Sequence, residues 1–237
     1  MEYRNQVAAV TGGARGLGRA TARLLAQRGA AVCVNYAAHA DEAETVVAEI
    51  ATAGGRAIAV AADIADSAAF RAMVTRAEAE LGPVTILVNN AGVAWQGTLD
   101  TYDREQVARM RQVNVDGVIH ATRAVMASIR ARRYGRIVNL ASMAAIGTAL
   151  SGNAFYVATK AEVINSNAAL CPGAGPARHH RERRGARLRP HRHDAARPTE
   201  ERFAARAMMG RIGEPEASPM RWCSWLHRSE VGLRRRC

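Results

Sequence analysis

Thr11-Gly12-Gly13-Ala14-Arg15-Gly16-Leu17-Gly18 is the stretch that decides how this chain folds. Before it, residues 6–10 form a short apolar run that reads as a strand; after it, residues 19–28 have helical spacing and stop at Gly29. Strand, glycine-rich turn and helix make the opening unit of a doubly wound α/β fold. Glycines let a backbone approach a pyrophosphate, and the helix that follows offers free N–H groups and a positive dipole end. A tight turn with no ligand is the plainer alternative, and the downstream text bears on it.

Strand and helix patterns then alternate. Residues 30–35 read as a second strand ending Val34-Asn35-Tyr36, with no carboxylate before Asp41. A carboxylate there would hold a ribose 2′-hydroxyl. Arg15, in the glycine turn, is placed to meet a 2′-phosphate instead, unless it is only a solvated loop charge. Residues 41–53 suit a helix closed by Gly54-Gly55, and residues 57–61 a third strand leading to Asp63-Ile64. Asp63 could equally cap the helix expected over 67–81. Residues 84–88 are wholly apolar, as a buried parallel strand should be, and run into Asn89-Asn90-Ala91-Gly92. A long helical pattern over 103–125 contains Asn114, a residue type that in mid-helix is usually solvated. A fifth strand, 136–140, ends at Ala141-Ser142. Tyr156 and Lys160, the chain's one lysine, are four apart on a helix and share a face. A fixed ammonium beside a phenol favours the phenolate, which makes Tyr156 a candidate general acid. An exposed helical pair is the alternative.

The glycine spacing T-G-x-x-x-G-x-G, N-N-A-G, the Asn114 segment, Ser142 and Y-x-x-x-K follow in order over residues 5–167. Together they resemble the short-chain dehydrogenase/reductase family, with most likeness to its 3-oxoacyl-carrier-protein reductase group. The resemblance implies a single Rossmann-type domain. It implies hydride exchange between a nicotinamide cofactor and a carbonyl or secondary alcohol, small or carrier-bound. It implies catalytic roles for Asn114, Ser142, Tyr156 and Lys160. It implies cofactor contacts from Gly12, Arg15, Gly16, Leu17, Gly18, Asn35, Asp63, Ile64, Asn90, Ala91 and Gly92, shared with Tyr156 and Lys160. Arg15 and Asn35 favour NADP over NAD. The family also implies a homotetramer or homodimer.

Other classes fit less well. No apolar run reaches the roughly 18 residues of a membrane helix. The four cysteines have neither metal-ligand nor disulfide spacing, so no metal and a reducing cytoplasm are expected. The net charge of +12 is uneven: residues 1–167 hold 17 basic and 14 acidic residues, residues 168–237 hold 16 and 7. That arginine-rich end lacks lysine, aromatic interleaving and helical spacing, so no nucleic-acid partner is expected.

The family pattern stops after residue 167. Back-translated with GC-rich codons and moved on by one base, residues 177–195 read P-G-I-T-V-N-A-V-A-P-G-F-V-R-T-D-M-T, a strand and loop resembling the family's. Residues 199–216 again look in frame, and residues 218–227, shifted by two bases, give V-A-D-A-V-V-F-L-A-S. A misread gene and a mutated gene both fit. The domain is therefore expected to run over 1–237 with an aberrant region at 168–237. About five regular strands are expected where the family has seven. Residues 171–198 should be irregular, 199–216 helical, and the chain less stable than a frame-corrected one. A protein that binds NADP(H) without catalysis is the alternative function.

Overall fold

The structure, a computed structural model, describes residues 2–146 and 149–170. Five strands alternate with helices: β1 (Val7–Val10), α1 (Gly16–Gln27), β2 (Ala31–Tyr36), α2 (Ala40–Thr52), β3 (Arg56–Ala61), α3 (Ser67–Leu81) and β4 (Val84–Asn89). Then come α4 (Arg104–Arg111), a π-turn (Gln112–Asp116), α5 (Gly117–Arg132), β5 (Arg136–Asn139), a short 3-10 turn (Met143–Ile146) and α6 (Ala154–Leu170). The strands form one sheet in the order β3-β2-β1-β4-β5, and each pairing is parallel. The expected doubly wound α/β fold is thus present, with five strands among the described residues. Residues 171–198, 199–216 and 218–227, for which an irregular segment and helices are expected, lie outside them.

A parallel sheet is buried on both faces, so its strands are mostly apolar on both sides. The inward direction alternates. Ala8, Val10, Val32, Val34, Ile86 and Val88 point into one core with Leu25, Val46 and Ile50 from α1 and α2. Val7, Ala9, Cys33, Val84 and Leu87 point into the other, against Phe70, Met73 and Val74 of α3 and Val125 and Ile129 of α5. Each fully buried side chain of Leu25 or Phe70 size contributes about 1.5–3 kcal/mol. Burial pushes the Cys33 thiol up to about 12, so it behaves as an inert apolar group.

The alternative role for Asp63, capping α3, falls instead to Asp66, which accepts from the Ala68 and Ala69 N–H groups. The helical pattern expected around Asn114 is present and runs on without a gap, but Gln112–Asp116 is π-helical between α4 and α5, and Asn114 is fully buried rather than solvated. Its amide has protein partners that offset its burial.

Candidate active site

The strand order reverses between β1 and β4, so a crevice opens beyond their carboxyl ends. Thr11 and Asn90 stitch that point together. Thr11 Oγ1 accepts from the N–H groups of Asn90 (3.0 Å) and Ala91 (2.9 Å), and Asn90 Nδ2 donates to the carbonyls of Thr11 and Gly12, both at 2.9 Å. Asn89 Nδ2 donates to Asn139 Oδ1 at 2.6 Å and ties β4 to β5.

The glycine turn is closed on one side and open on the other. At Gly12, with φ +60°, a Cβ would lie 3.1 Å from Ala91 Cα, and at Gly18 it would overlap the Gly12 carbonyl oxygen. These two glycines let loop, α1 and β4 meet. Gly16 has φ +53° and nothing within 4 Å of a Cβ, and Arg15, Gly16 and Leu17 are exposed. The N-terminus of α1 has no side-chain cap and no acidic residue in its first turn. An uncapped positive helix end beside an open glycine cradle fits a dinucleotide pyrophosphate.

The other expected cofactor residues divide. Asn35 is 2% exposed; its Nδ2 donates to the Ala62 carbonyl at 2.9 Å and its Oδ1 accepts from the Gly12 N–H at 3.4 Å. It therefore ties the glycine turn to the end of β3 from inside. Tyr36, the next residue, is the half-buried one at that strand end. Asp63 sits at the surface, with Oδ1 accepting from the Ala65 N–H and Oδ2 from Arg109 at 2.6 Å. Burial pushes its carboxyl up, but the Ala65 N–H and the Arg109 guanidinium outweigh that and hold it below the usual aspartate value. The Ile64 side chain is core: a Cβ at Gly117 would come within 2.8 Å of it.

The remaining candidates converge. α6 packs on both the π-turn and the 3-10 turn, which brings the segments of Tyr156, Asn114 and Ser142 together. Lys160 is 5% exposed and its Nζ donates to the Leu140 carbonyl at 2.8 Å. Burial pulls its pKa below the ordinary lysine value. Asn114 Oδ1 accepts from the Val93 N–H, and its Nδ2 donates to the Val93 carbonyl, both at 2.8 Å, and to Thr159 Oγ1 at 3.1 Å. Gly92 lies between these groups: a Cβ there would stand 3.3 Å from Asn114 Oδ1 and 3.4 Å from Lys160 Nζ. Ser142 Oγ accepts from the Ala144 N–H at 3.2 Å, a bond that leaves its O–H to donate. Tyr156 is half-buried in the first turn of α6.

The sequence reading missed Thr11, Thr159 and Arg109. Thr159 could have been found, because it shares the helix face of Tyr156 at i+3. An aromatic group was also missed: the Phe155 ring lies between those of Trp95 (5.9 Å) and Tyr102 (5.3 Å), with exposed Leu99 in the same loop. Among the described residues no cluster of His, Cys, Asp or Glu is placed to hold a metal ion, and no helix is long and apolar enough to cross a membrane.

Comparisons with known proteins bear on this geometry. A 3-oxoacyl-[acyl-carrier-protein] reductase of Staphylococcus epidermidis is 38% identical over 161 residues, 68% of this chain and 65% of that protein. A reductase of the same name from Synechocystis is 39% identical over 159 residues, 67% of this chain and 64% of that one. The chain thus spans just under two thirds of the length of these relatives. Among solved structures, a Serratia marcescens short-chain dehydrogenase/reductase mutant superposes with a TM-score of 0.65 at 38% identity, covering 70% of this chain and 67% of that one. A metagenomic short-chain oxidoreductase in complex with NADP gives 0.68 at 33%, covering 72% and 76%. A family model described as short chain dehydrogenase matches residues 6–173, ending close to the break in composition. The chain belongs to the short-chain dehydrogenase family of oxidoreductases.

Proposed function

We propose that this chain is an NADP(H)-dependent carbonyl reductase, able to run in reverse as an alcohol dehydrogenase, with a 3-oxoacyl-carrier-protein reductase-like substrate. The observation that carries this reading is the meeting of Asn114 and Lys160 over Gly92, on elements that α6 packs beside Tyr156 and Ser142. The likeness to 3-oxoacyl-[acyl-carrier-protein] reductases and to an NADP-complexed relative supports it.

The open glycine cradle and the N-terminus of α1 would hold the pyrophosphate, Arg15 the 2′-phosphate, and Asp63 and the Ile64 backbone the adenine. Asn90, Ala91, Gly92 and Lys160 would hold the nicotinamide ribose. When bound, the nicotinamide supplies the hydride. Tyr156 gives the carbonyl oxygen its proton, and the Ser142 O–H donates to that oxygen as charge grows on it. Lys160 keeps a positive charge one turn from Tyr156, which offsets the charge left when the proton goes. The two N–H bonds of the Asn114 amide go to Val93 and Thr159, so its side chain contributes geometry to the site.

A second reading, cofactor binding without turnover, is favoured by one observation: after residue 167 the sequence carries no apolar strand text of the family's kind. A pair of assays separates the two. Tight NADPH binding with ketone-dependent NADPH oxidation supports the reductase; binding without oxidation supports the second reading, and absence of both removes them together.

A further inference from the structure

Thr159 lies between two groups that serve the proposed reaction. It is 7% exposed, in α6, three residues after Tyr156 and next to Lys160. Its hydroxyl donates to the Tyr156 carbonyl at 2.8 Å and accepts from Asn114 Nδ2 at 3.1 Å. Asn114 is fully buried, and its remaining amide bonds go to the backbone of Val93, just past Gly92. The hydroxyl thus joins α6 to the π-turn, and through Asn114 to the segment after β4. A π-turn has an i→i+5 ladder and a wider bore, and it tends to occur where a helix presents a functional residue. Here it turns Asn114 toward Val93 and Thr159, and among the described residues the Thr159 hydroxyl is its one side-chain partner.

We propose that Thr159 is a positioning residue for the reaction, setting the spacing of Tyr156 and Asn114 through this pair of hydrogen bonds. The proposal rests on the reductase reading. Valine in its place has nearly the same shape but can neither donate nor accept. It leaves the Asn114 N–H buried against a methyl group, and such a donor is costly to leave unmatched. The structure responds by rotating the amide or shifting α6 against the π-turn. Either movement displaces groups that must meet the substrate within a fraction of an ångström.

The test uses the full chain with Thr159→Val and Thr159→Ser. Measured are kcat and KM for a ketone, the Kd of NADPH by fluorescence, and the side-chain amide NMR signals of Asn114 in protein carrying nitrogen-labelled asparagine. Those signals are assigned by their loss in Asn114→Ala. Thr159→Val should move the Asn114 signals and lower kcat by roughly 10–100-fold, with KM and Kd near wild type. Thr159→Ser, which keeps the hydroxyl, should restore both. Moved signals with unchanged kcat would show a purely structural bond and overturn the proposal; so would unmoved signals, or failure of the serine variant to restore either readout. If wild type binds NADPH but reduces no ketone, the reductase reading fails by itself. The positioning role then falls with that reading, whatever the amide signals show, whereas a failure confined to Thr159 shows as a wild type that turns over with a valine variant of unchanged kcat.

Discussion

Three single residues carry direct tests. Lys160 is buried, and that burial makes the folded state lose its proton more readily than the unfolded chain does. The unfolded chain then binds more protons between the lowered folded value and 10.5, and stability rises with pH across that window. Chemical denaturation of wild type and Lys160→Met at neutral and alkaline pH should show wild type gaining on the variant as pH rises; a constant difference would contradict it. Asn35 offers a second test. Aspartate there would set a carboxylate against the carbonyls of Ala62 and Val60, in place of donors. Asn35→Asp should cost about 3 kcal/mol in urea unfolding and leave cofactor preference to other residues. A stable variant with switched preference would contradict this. Arg15 is exposed at the cradle, and Arg15→Ala should lower the kcat/KM ratio of NADPH over NADH by roughly tenfold or more; an unchanged ratio would remove Arg15 from phosphate recognition. At this scale the sequence was half transparent. Residue types at motif positions point to chemistry, but whether a side chain faces ligand or core depends on neighbours distant in the chain. Asn35 against Ala62 and Asn114 against Thr159 are contacts of that kind.

At the scale of elements, the glycine turn and α1 act together. A methyl at Gly18 would overlap backbone of the turn itself, whereas Gly16 faces open space and is constrained only by its positive φ. Gly16→Ala should therefore cost about 1 kcal/mol, the left-handed penalty. Gly18→Ala should cost about 2 kcal/mol or more and abolish NADPH binding, because α1 and Asn90 must back away. Equal losses in thermal unfolding and fluorescence titration would contradict this division. The strands and helices were legible because period and punctuation agree: the helix expected over 67–81 is α3, Ser67–Leu81. The change to π pairing at Gln112–Asp116 was not legible. A π-turn inserts a residue into the ladder without Gly or Pro, so a helical pattern reads straight through it. The N-cap of α3 stayed open for a related reason: Asp63 and Asp66 are both capping types, and the turn from Asp63 to Asp66 decides between them.

At the scale of the molecule, the parallel sheet places the loops after β1 and β4 beside each other, and α6 closes the crevice with Tyr156 and Lys160. This arrangement follows from the alternating apolar text of residues 5–167. Beyond it, the sequence of residues 168–237 carries 16 arginines and little apolar periodicity, and unpaired charge cannot enter a buried parallel strand without a cost of several kcal/mol. A frame-corrected chain should accordingly unfold at higher temperature than the chain as written; equal transitions would show that the altered text has its own means of support. The central claim, that this is a short-chain reductase whose acid is Tyr156, is tested most directly by Tyr156→Phe in that frame-corrected chain. Removing one hydroxyl should lower ketone-dependent NADPH oxidation by about 100-fold or more while the Kd of NADPH stays unchanged. Turnover by the phenylalanine variant at near the parent rate would contradict the account.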